Sequence, residues 1–547
     1  VIGASVLVKG TSIGTLTDIN GKFTISSVPA SATILVVSFV GMKAQEVAIT
    51  GNPLQIVMKE NNTDLDEIVV IGYGSVKKSD LTGSVSAVSQ KELTKNPSMS
   101  AAQALQGKTS GVVVVPSSEP GKAATIRVRG VGSINNSSNP IFIVDGIRMD
   151  DLEGIHPQDI ESLQVIKDAS PAAIYAANGS NGVIIVTTKR VKSGKPVINF
   201  NSYLTYNREP KKYDMMNADE YSAFYSEVKG DRFEYTPEFR EKYYGEGWQK
   251  GTDWQDLLFD ASISQNYHVA ISGGGEKSHY NVSFAYRDDK ANVIKKWADS
   301  YTIRANSDFQ LGKKVKVGEN FSARYIMGQS PTTTGSSSVW VLNVSPLMKV
   351  HNDYYKGGFE SFQALYWMDA DGNLHAGSSP DDILYPTYRN TVGNDKPNPL
   401  APISLGDSRN YGLNTLASVY LQIDFTDWLM FKTTPSADIS YGRARSWMPV
   451  YEGNRGSAAA TLTEGYSEKV RLSIENQLSI KKKFNDAHQV QFTLVQEAYQ
   501  ALSQYITATG SGFNFESLPT MTNALEFGTM GGISDYRRDS YLARLIY

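Results

Sequence analysis

The chain contains no cysteine, which excludes a disulfide scaffold and a thiolate metal site. It has no apolar run able to cross a bilayer as a helix. The longest, Ala32–Met42, falls well short of the roughly 20 residues required and carries a Ser and a Gly. That lack says nothing of a β-barrel, whose alternating strands leave almost no hydropathy signal. An excess of one charge is also missing, with 53 Lys and Arg against 56 Asp and Glu, so no nucleic-acid partner is expected. Histidines number only six and are scattered along the sequence, with no H-E-x-x-H, so no metal centre is expected. There is no Walker A motif, and Gly130-Val131-Gly132-Ser133 lacks the third glycine and the βαβ setting of a dinucleotide fingerprint. No cofactor is expected.

What is abundant is tyrosine, at 30 residues, and glycine, at 46, a composition that suits many strands joined by turns. Over residues 1–60 short β-like runs alternate with turns. Ala4–Val8, Gly14–Thr17, Lys22–Ser26, Thr33–Val40 and Gln45–Ile49 read as strands, with the hairpin signal Asn20-Gly21 among them. This predicts a small β-sandwich. Residues 61–79 read as a linker. It holds Leu65–Gly74 (LDEIVVIGYG), whose β-branched centre is an exposed-strand hazard unless something pairs with it. Residues 80–190 mix the two types. Ser100–Gly107 and Ala169–Ala176 read as helices and Pro157–Ile160 as a helical turn. Val112–Val115, Ala124–Val128, Pro140–Val144, Ser162–Lys167 and Gly182–Thr188 read as strands.

After Lys189 long segments alternate with period two. In His279–Arg287 one face carries Tyr280, Val282, Phe284 and Tyr286 and the other Asn281, Ser283 and Ala285. In Tyr301–Leu311 an apolar face (Tyr301, Ile303, Ala305, Phe309, Leu311) opposes Thr302, Arg304, Asn306, Asp308 and Gln310; Val315–Met327 and Val470–Phe484 repeat the pattern. Roughly ten such strands are expected. They are longer than those of soluble sheets, with apolar faces out and polar faces in, as in a membrane barrel; a soluble sandwich would also alternate. Residues 191–547 are therefore read as the first part of a barrel. The chain opens in one apparent strand (Val1–Ala4) and stops in another (Tyr541–Tyr547), so it is expected to be a fragment.

Three blocks resemble a known family. Residues 3–29 with 37–49 look like the carboxypeptidase-regulatory-like extension of SusC-like (SusC/RagA-type) TonB-dependent outer-membrane transporters. Residues 65–74 look like that family's TonB box, and TIRVRGVGSINNSSNPIFIVDGI (125–147) with 155–190 look like its plug. The run Ala176–Gly182 departs from the family's usual Gly-Ala-Arg-Gly pattern but keeps its small residues. The resemblance implies a mainly β protein: a small N-terminal β-sandwich (1–60), a linker with the TonB box (61–79), a mixed α/β plug (80–190) and an incomplete antiparallel transmembrane β-barrel (191–547). The complete architecture would be a 22-stranded plugged barrel.

It implies no enzymatic activity. The expected activity is active import of a nutrient across the outer membrane of a Gram-negative bacterium, glycan or oligosaccharide first, with a peptide importer or a signalling receptor-transporter as alternatives. The implied partners are TonB of the inner membrane, a SusD-like surface lipoprotein and outer-membrane lipid. Asp66, Glu67, Ile68, Val69, Val70 and Ile71 would bind TonB. Arg129, Ser133, Asn135, Asn136 and Arg148, on plug loops, would contact substrate.

Two motifs read as turns. Gly10-Thr11-Ser12-Ile13-Gly14 matches a nucleophile elbow but sits between strands with no His before His156. Asp369–Asn373 resembles a calcium loop without the third ligand and distal Glu. Arg127 and Arg129, two apart, are expected to share a strand face, either paired to acids in a barrel lumen or turned to substrate.

Overall fold

Strands dominate because aromatic and β-branched residues recur at every second position between turns that admit positive φ. The computed structural model describes the chain apart from residues 1–2, 12, 31, 40–41, 43, 51–52, 59–67, 72–73, 78–84, 134–137, 169–178, 191–193, 231–235, 332–340, 354, 361–364, 377–379, 381–386, 390–397, 452–458 and 485–487. It divides into two compact units, Val1–Val69 with Ser75–Leu81, and Val70–Gly74 with Thr82–Tyr547.

In the first unit Ser5–Val8 (β1), Gly14–Leu16 (β2), Ile34–Ser38 (β3) and Gln45–Ala48 (β4) form a sheet ordered β2-β1-β3-β4. Val6, Val8, Leu35 and Val37 are buried on one face, where Phe23, Ile25, Leu54, Ile56 and Met58 pack against them. The strand expected over Lys22–Ser26 does not form. Instead the Asp18 carboxylate accepts the Asn20 and Lys22 N–H groups at 2.8 Å each, and Gly21 closes the turn at φ 72°. Phe23 and Ile25 therefore reach the core from a chain outside the ladder. Ser12 lies outside the described residues. Around it the Val8 N–H meets the Ile13 carbonyl at 2.9 Å and the Thr11 N–H meets that of Val8 at 3.1 Å, a hairpin turn rather than a strand-to-helix elbow. Where the chain passes between the units, Ile68–Ile71 (β5) and Gly74–Lys77 (β6) pair as a two-stranded sheet.

The second unit begins with Val85–Ser89 (β7), Val112–Val115 (β8), Thr125–Val128 (β9), Ile141–Val144 (β10), Ile147–Met149 (β11), Ile160–Ile166 (β12) and Val183–Thr188 (β13). Five of these make a sheet ordered β11-β10-β13-β12-β7, while β8 and β9 pair separately. Strands β10 and β13 run parallel; β10 is apolar throughout and β13 over Val183–Val186, as strand segments covered on both faces are. Val144, Leu163, Val165, Ile184 and Val186 are buried at the centre of the core. The helix expected over Ser100–Gly107 is a single turn, Ala101–Ala104, capped by Ser100, whose side chain accepts the Gln103 N–H at 3.3 Å. The helix expected at Ala169–Ala176 falls outside the described residues.

The wall follows: Gly194–Asn207 (β14), Ser262–Gly274 (β15), Ser278–Lys290 (β16), Trp297–Leu311 (β17), Val315–Gln329 (β18), then a small loop sheet of Leu365–Met368 (β19), Leu374–Ala376 (β20) and Thr387–Arg389 (β21), and then Asp407–Thr426 (β22), Leu429–Met448 (β23), Thr461–Phe484 (β24), His488–Phe513 (β25) and Ala524–Ile546 (β26). Strands β14–β18 and β22–β26 form one antiparallel ten-stranded meander. Its burial is inverted relative to a soluble sheet. Phe284 and Ile303 are each 45% exposed, whereas Arg304 and Asn306 are 2% and 3% exposed. Apolar side chains face outward and polar ones face a filled interior, which a water-facing sandwich cannot sustain.

The outward face carries its own order. Tyr267, Tyr286, Tyr301 and Tyr325 lie in register on four successive strands, followed by Leu413 and Tyr441. Ten residue steps further along β17, Leu311 heads a second row with Val315, Ile423 and Phe431. Ten steps of about 3.4 Å on a strand tilted by about 40° span roughly 25 Å, the height of a membrane barrel's apolar band. Short turns at 275–277, 312–314 and 427–428 mark one end of the wall. At the other, the long connections build a core of their own around Trp254, Leu258, Leu347, Met348 and Ile403. The Asp369–Asn373 turn closes β19 onto β20, with the Asp369 carboxylate accepting the Asn373 N–H at 2.7 Å.

A plug held inside the barrel wall as the candidate functional site

The β10–β11 hairpin turns on Asp145-Gly146, whose φ values of 50° and 92° fit the Asp-Gly pair. The turn aims the Asp145 carboxylate at β13 and at the wall. It accepts the Thr188 N–H at 2.9 Å and the Thr188 hydroxyl at 2.6 Å, and pairs with Arg304 of β17 at 2.5 Å. Both charged side chains are almost fully buried, at 2% and 3% exposure. Asn306, one inward position along β17, donates to the Thr188 hydroxyl at 2.9 Å.

Further contacts run around the wall. Glu153 pairs with Arg287 of β16 at 3.0 Å, and Arg287 also donates to the Met99 carbonyl at 2.7 Å. Arg190, just past β13, pairs with Asp308 at 2.5 Å and donates to Asn320 at 3.0 Å. Tyr203 of β14 donates to the Ser98 carbonyl at 2.5 Å. On β24, Lys469 and Arg471 hold Asp150 at 2.6 and 2.5 Å, and Arg471 also holds Asp438 at 2.5 Å. Since β14, β16, β17 and β24 all reach residues 98–190, the sheet curves around that segment and its interior is filled by it.

The backbone also approaches the wall closely at Gly121. It has φ 70°, and a Cβ there would lie 2.7 Å from Ile326 Cδ1 and 2.8 Å from Ala298 Cβ. Its N–H donates to Asp289 at 3.0 Å. Gly121→Val should therefore force the segment from the wall, at a cost of about 2–4 kcal/mol from overpacking and backbone strain. Faster amide exchange in β9 and β10 of the variant would show it; unchanged exchange would contradict it.

Two histidines sit in this seam. His156 and His268 stack with ring centroids 4.4 Å apart. His268 meets Asp159 at 2.8 Å, whose other oxygen accepts the Ser283 hydroxyl at 3.0 Å. His156 Nδ1 accepts the Gln158 N–H at 3.1 Å and Nε2 meets Asn266 Oδ1 at 2.9 Å, which defines the neutral Nε2–H tautomer. Burial, and then the neighbouring His268, push the His156 imidazole down to about 4. Burial opposes ionisation of Asp159, but the bond from His268 and the charges around it hold its carboxyl below the usual range. The sign for His156 follows. The folded chain resists a proton that the unfolded chain takes up near pH 6.5, so stability present above pH 6.5 is lost as pH falls toward 4. The loss is about 3 kcal/mol. Plug protection measured by hydrogen exchange should fall over that window, and His156→Gln should flatten the dependence; an unchanged slope in the variant would contradict the assignment.

The structure brings together few of the residues the sequence pointed to. Strand β9 ends at Val128, and Arg129 takes a left-handed backbone at φ 56°, so Arg127 and Arg129 do not share a strand face. Arg129 pairs with Asp168 at 2.6 Å, while Arg127 bonds Asn139 and the Ile126 carbonyl. Ser133 closes a small loop with Ser138, its N–H meeting the Ser138 hydroxyl at 3.2 Å. Arg148 is exposed on β11, within electrostatic reach of Tyr499 on β25. Asn135 and Asn136 lie outside the described residues, as do Asp66 and Glu67; Ile68–Ile71 form β5. The seam residues Asp145, Glu153, His156, Asp159 and Thr188 were not singled out. The available signal was the run of polar residues, Arg304 and Asn306 among them, on the inward face of strands whose other face is apolar.

A wall of long strands with a polar interior filled by a folded domain defines a plugged β-barrel. The TonB-dependent receptor plug domain family matches residues 77–183 and the CarboxypepD_reg-like domain family matches residues 1–70. The chain is 36% identical over 426 residues to the TonB-dependent receptor SusC of Bacteroides thetaiotaomicron, covering 75% of this chain and 40% of that one. It is 33% identical to the TonB-dependent receptor P3 of Formosa agariphila, covering 88% and 45%. Among solved structures it resembles the RagAB peptide importer in the "open-open" state, with TM-score 0.69, 22% identity and coverage of 88% and 54%. The chain belongs to the SusC-like TonB-dependent receptors, and it spans about half the length of the curated relatives it matches.

Proposed function

We propose that the chain supplies the plug and the first wall strands of an importer that moves a nutrient across the outer membrane of a Gram-negative bacterium, driven through TonB and assisted by a SusD-like lipoprotein. The observation that carries this reading is the filled interior. The described residues of 98–190 fill the space inside the wall and are tied to it by buried ion pairs, so passage requires that they move. Movement of a domain held this way needs external work, and a partner that pulls on an extended segment supplies it. Residues 61–79 are the proposed coupling linker, with 1–60, 80–190 and 191–547 as the extension, plug and barrel. Asp66–Ile71 are the proposed TonB-binding residues. Arg129, Ser133, Asn135, Asn136 and Arg148 remain the proposed substrate contacts, with Arg148 favoured because it is exposed beside Tyr499.

The cargo is proposed to be a glycan or oligosaccharide. The RagAB likeness, to a protein titled a peptide importer, keeps peptides as the second reading. Cells expressing the complete receptor should accumulate labelled oligosaccharide and lose that accumulation when the inner-membrane proton gradient is collapsed. Accumulation of peptides alone would move the cargo to the second reading, and gradient-independent entry of either would overturn the mechanism.

A further inference from the structure

One cavity lies outside the lumen. It is a cavity of about 570 Å³ on the outward face of β18 and β22–β26, toward the long-connection end, within the usual range for small-molecule sites. Register explains its shape. Tyr325, Leu413, Tyr441 and Glu468 stand in one outward row, and Tyr411, Arg443 and Tyr466 in the next. The groove between them crosses strands at the level of the tyrosine row.

Its charges are unequally engaged. Glu468 accepts a hydrogen bond from Gln504 and faces the Tyr441 hydroxyl. Arg443 lies over the rings of Tyr411 and Tyr466, 6.0 and 5.9 Å from their centroids. Its only carboxylate within 4 Å among the described residues is Glu464, at 3.8 Å. That carboxylate is shared with Arg445 at 3.5 Å. One acid therefore serves two guanidinium groups, and Arg443 is still 49% exposed. A cation on a barrel's outer face is tolerated near an interface and costly deeper in the apolar band. Two aromatic faces pin this one in place instead of leaving it to swing toward water.

We propose that this groove is a binding site for an anionic membrane lipid, whose phosphate meets Arg443 and whose acyl chain lies against Tyr325, Leu413 and Tyr441. The chemistry matches at both ends: a guanidinium recognises phosphate with charge-assisted bonds, and a tyrosine-walled groove takes an acyl chain. This rests on the reading of the sheet as membrane-spanning and goes beyond it, because an aromatic row alone needs no particular lipid.

The test uses the complete receptor reconstituted in nanodiscs of phosphatidylethanolamine with a minor share of either phosphatidylglycerol or lipid A, then extracted into mild detergent for native mass spectrometry. Wild-type receptor should retain the anionic lipid over phosphatidylethanolamine. Arg443→Ala should lower that retention about ten-fold, the loss of one charge-assisted bond. Arg443→Lys should lie between, and Arg409→Ala, outward but outside the groove, should match wild type. Heat-modifiable migration on gels confirms that each variant is folded. Equal retention by Arg443→Ala, or equal retention of the neutral lipid, overturns the site. Failure of the wild-type receptor to enter nanodiscs at all would overturn the membrane reading instead.

Discussion

Asp145→Ala is expected to release the plug from the wall. The carboxylate holds the Thr188 N–H, the Thr188 hydroxyl and Arg304 at once, so its removal leaves a guanidinium buried without its counter-charge. Breaking such a pair from one side costs about 3–5 kcal/mol. The turn adds to this, since Asp145 occupies a left-handed backbone at φ 50° that Asp and Asn tolerate better than Ala. Asp145→Asn keeps the turn but turns one acceptor oxygen into an NH2 donor facing the Thr188 or Arg304 donors, so it should fall between wild type and Asp145→Ala. Arg304→Met should also be milder, because Asp145 keeps both Thr188 donors. The Asp145→Ala, Arg304→Met pair should then recover part of the loss, and the cycle isolates the coupling. Amide exchange across Val183–Thr188 reads the stability. Entry of a bulky antibiotic that the plugged receptor excludes reads the leak. Asp145→Ala with wild-type protection and no leak would show that the seam does not hold the plug.

Much of the wall was legible because alternation survives in a single sequence. Tyr301, Ile303, Phe309 and Leu311 face outward, and Arg304, Asn306 and Asp308 face inward, as their spacing indicates. The plug's buried strands, β10 and β13, were legible from unbroken apolar runs. The seam was not. Asp145 and Arg304 lie 159 residues apart, and nothing local in either stretch specifies the other. Lys22–Ser26 alternates like a strand yet joins no ladder, because alternation reports which side chains face the core and not whether the backbone finds a partner. Arg129 was misplaced for a related reason: its left-handed φ depends on the Gly111 carbonyl, which takes its N–H at 2.8 Å, a contact invisible in the spacing of two arginines.

The hexapeptide Asp66–Ile71 should tolerate side-chain changes and fail with a missing N–H. Its last four residues already form a strand, β5, whose named partner among the described residues is β6 alone. We propose that the other edge of β5 takes part in strand addition, in which main-chain bonds supply the grip. Val69→Pro removes a donor and fixes φ, which costs about 3 kcal/mol or more and lowers affinity for a strand-adding partner over a hundred-fold. Val69→Ala keeps the N–H and gives up only β-propensity, about 1 kcal/mol or less. The proposed substrate contacts lie outside residues 66–71, so substrate capture should persist in both variants.

The decisive measurement follows one labelled substrate in cells expressing the complete receptor with Val69→Pro, scoring surface-bound and accumulated label separately. Retained surface binding with accumulation reduced to the level of receptor-less cells is the expected result. Accumulation at the parent rate would show that residues 66–71 do not couple energy to import.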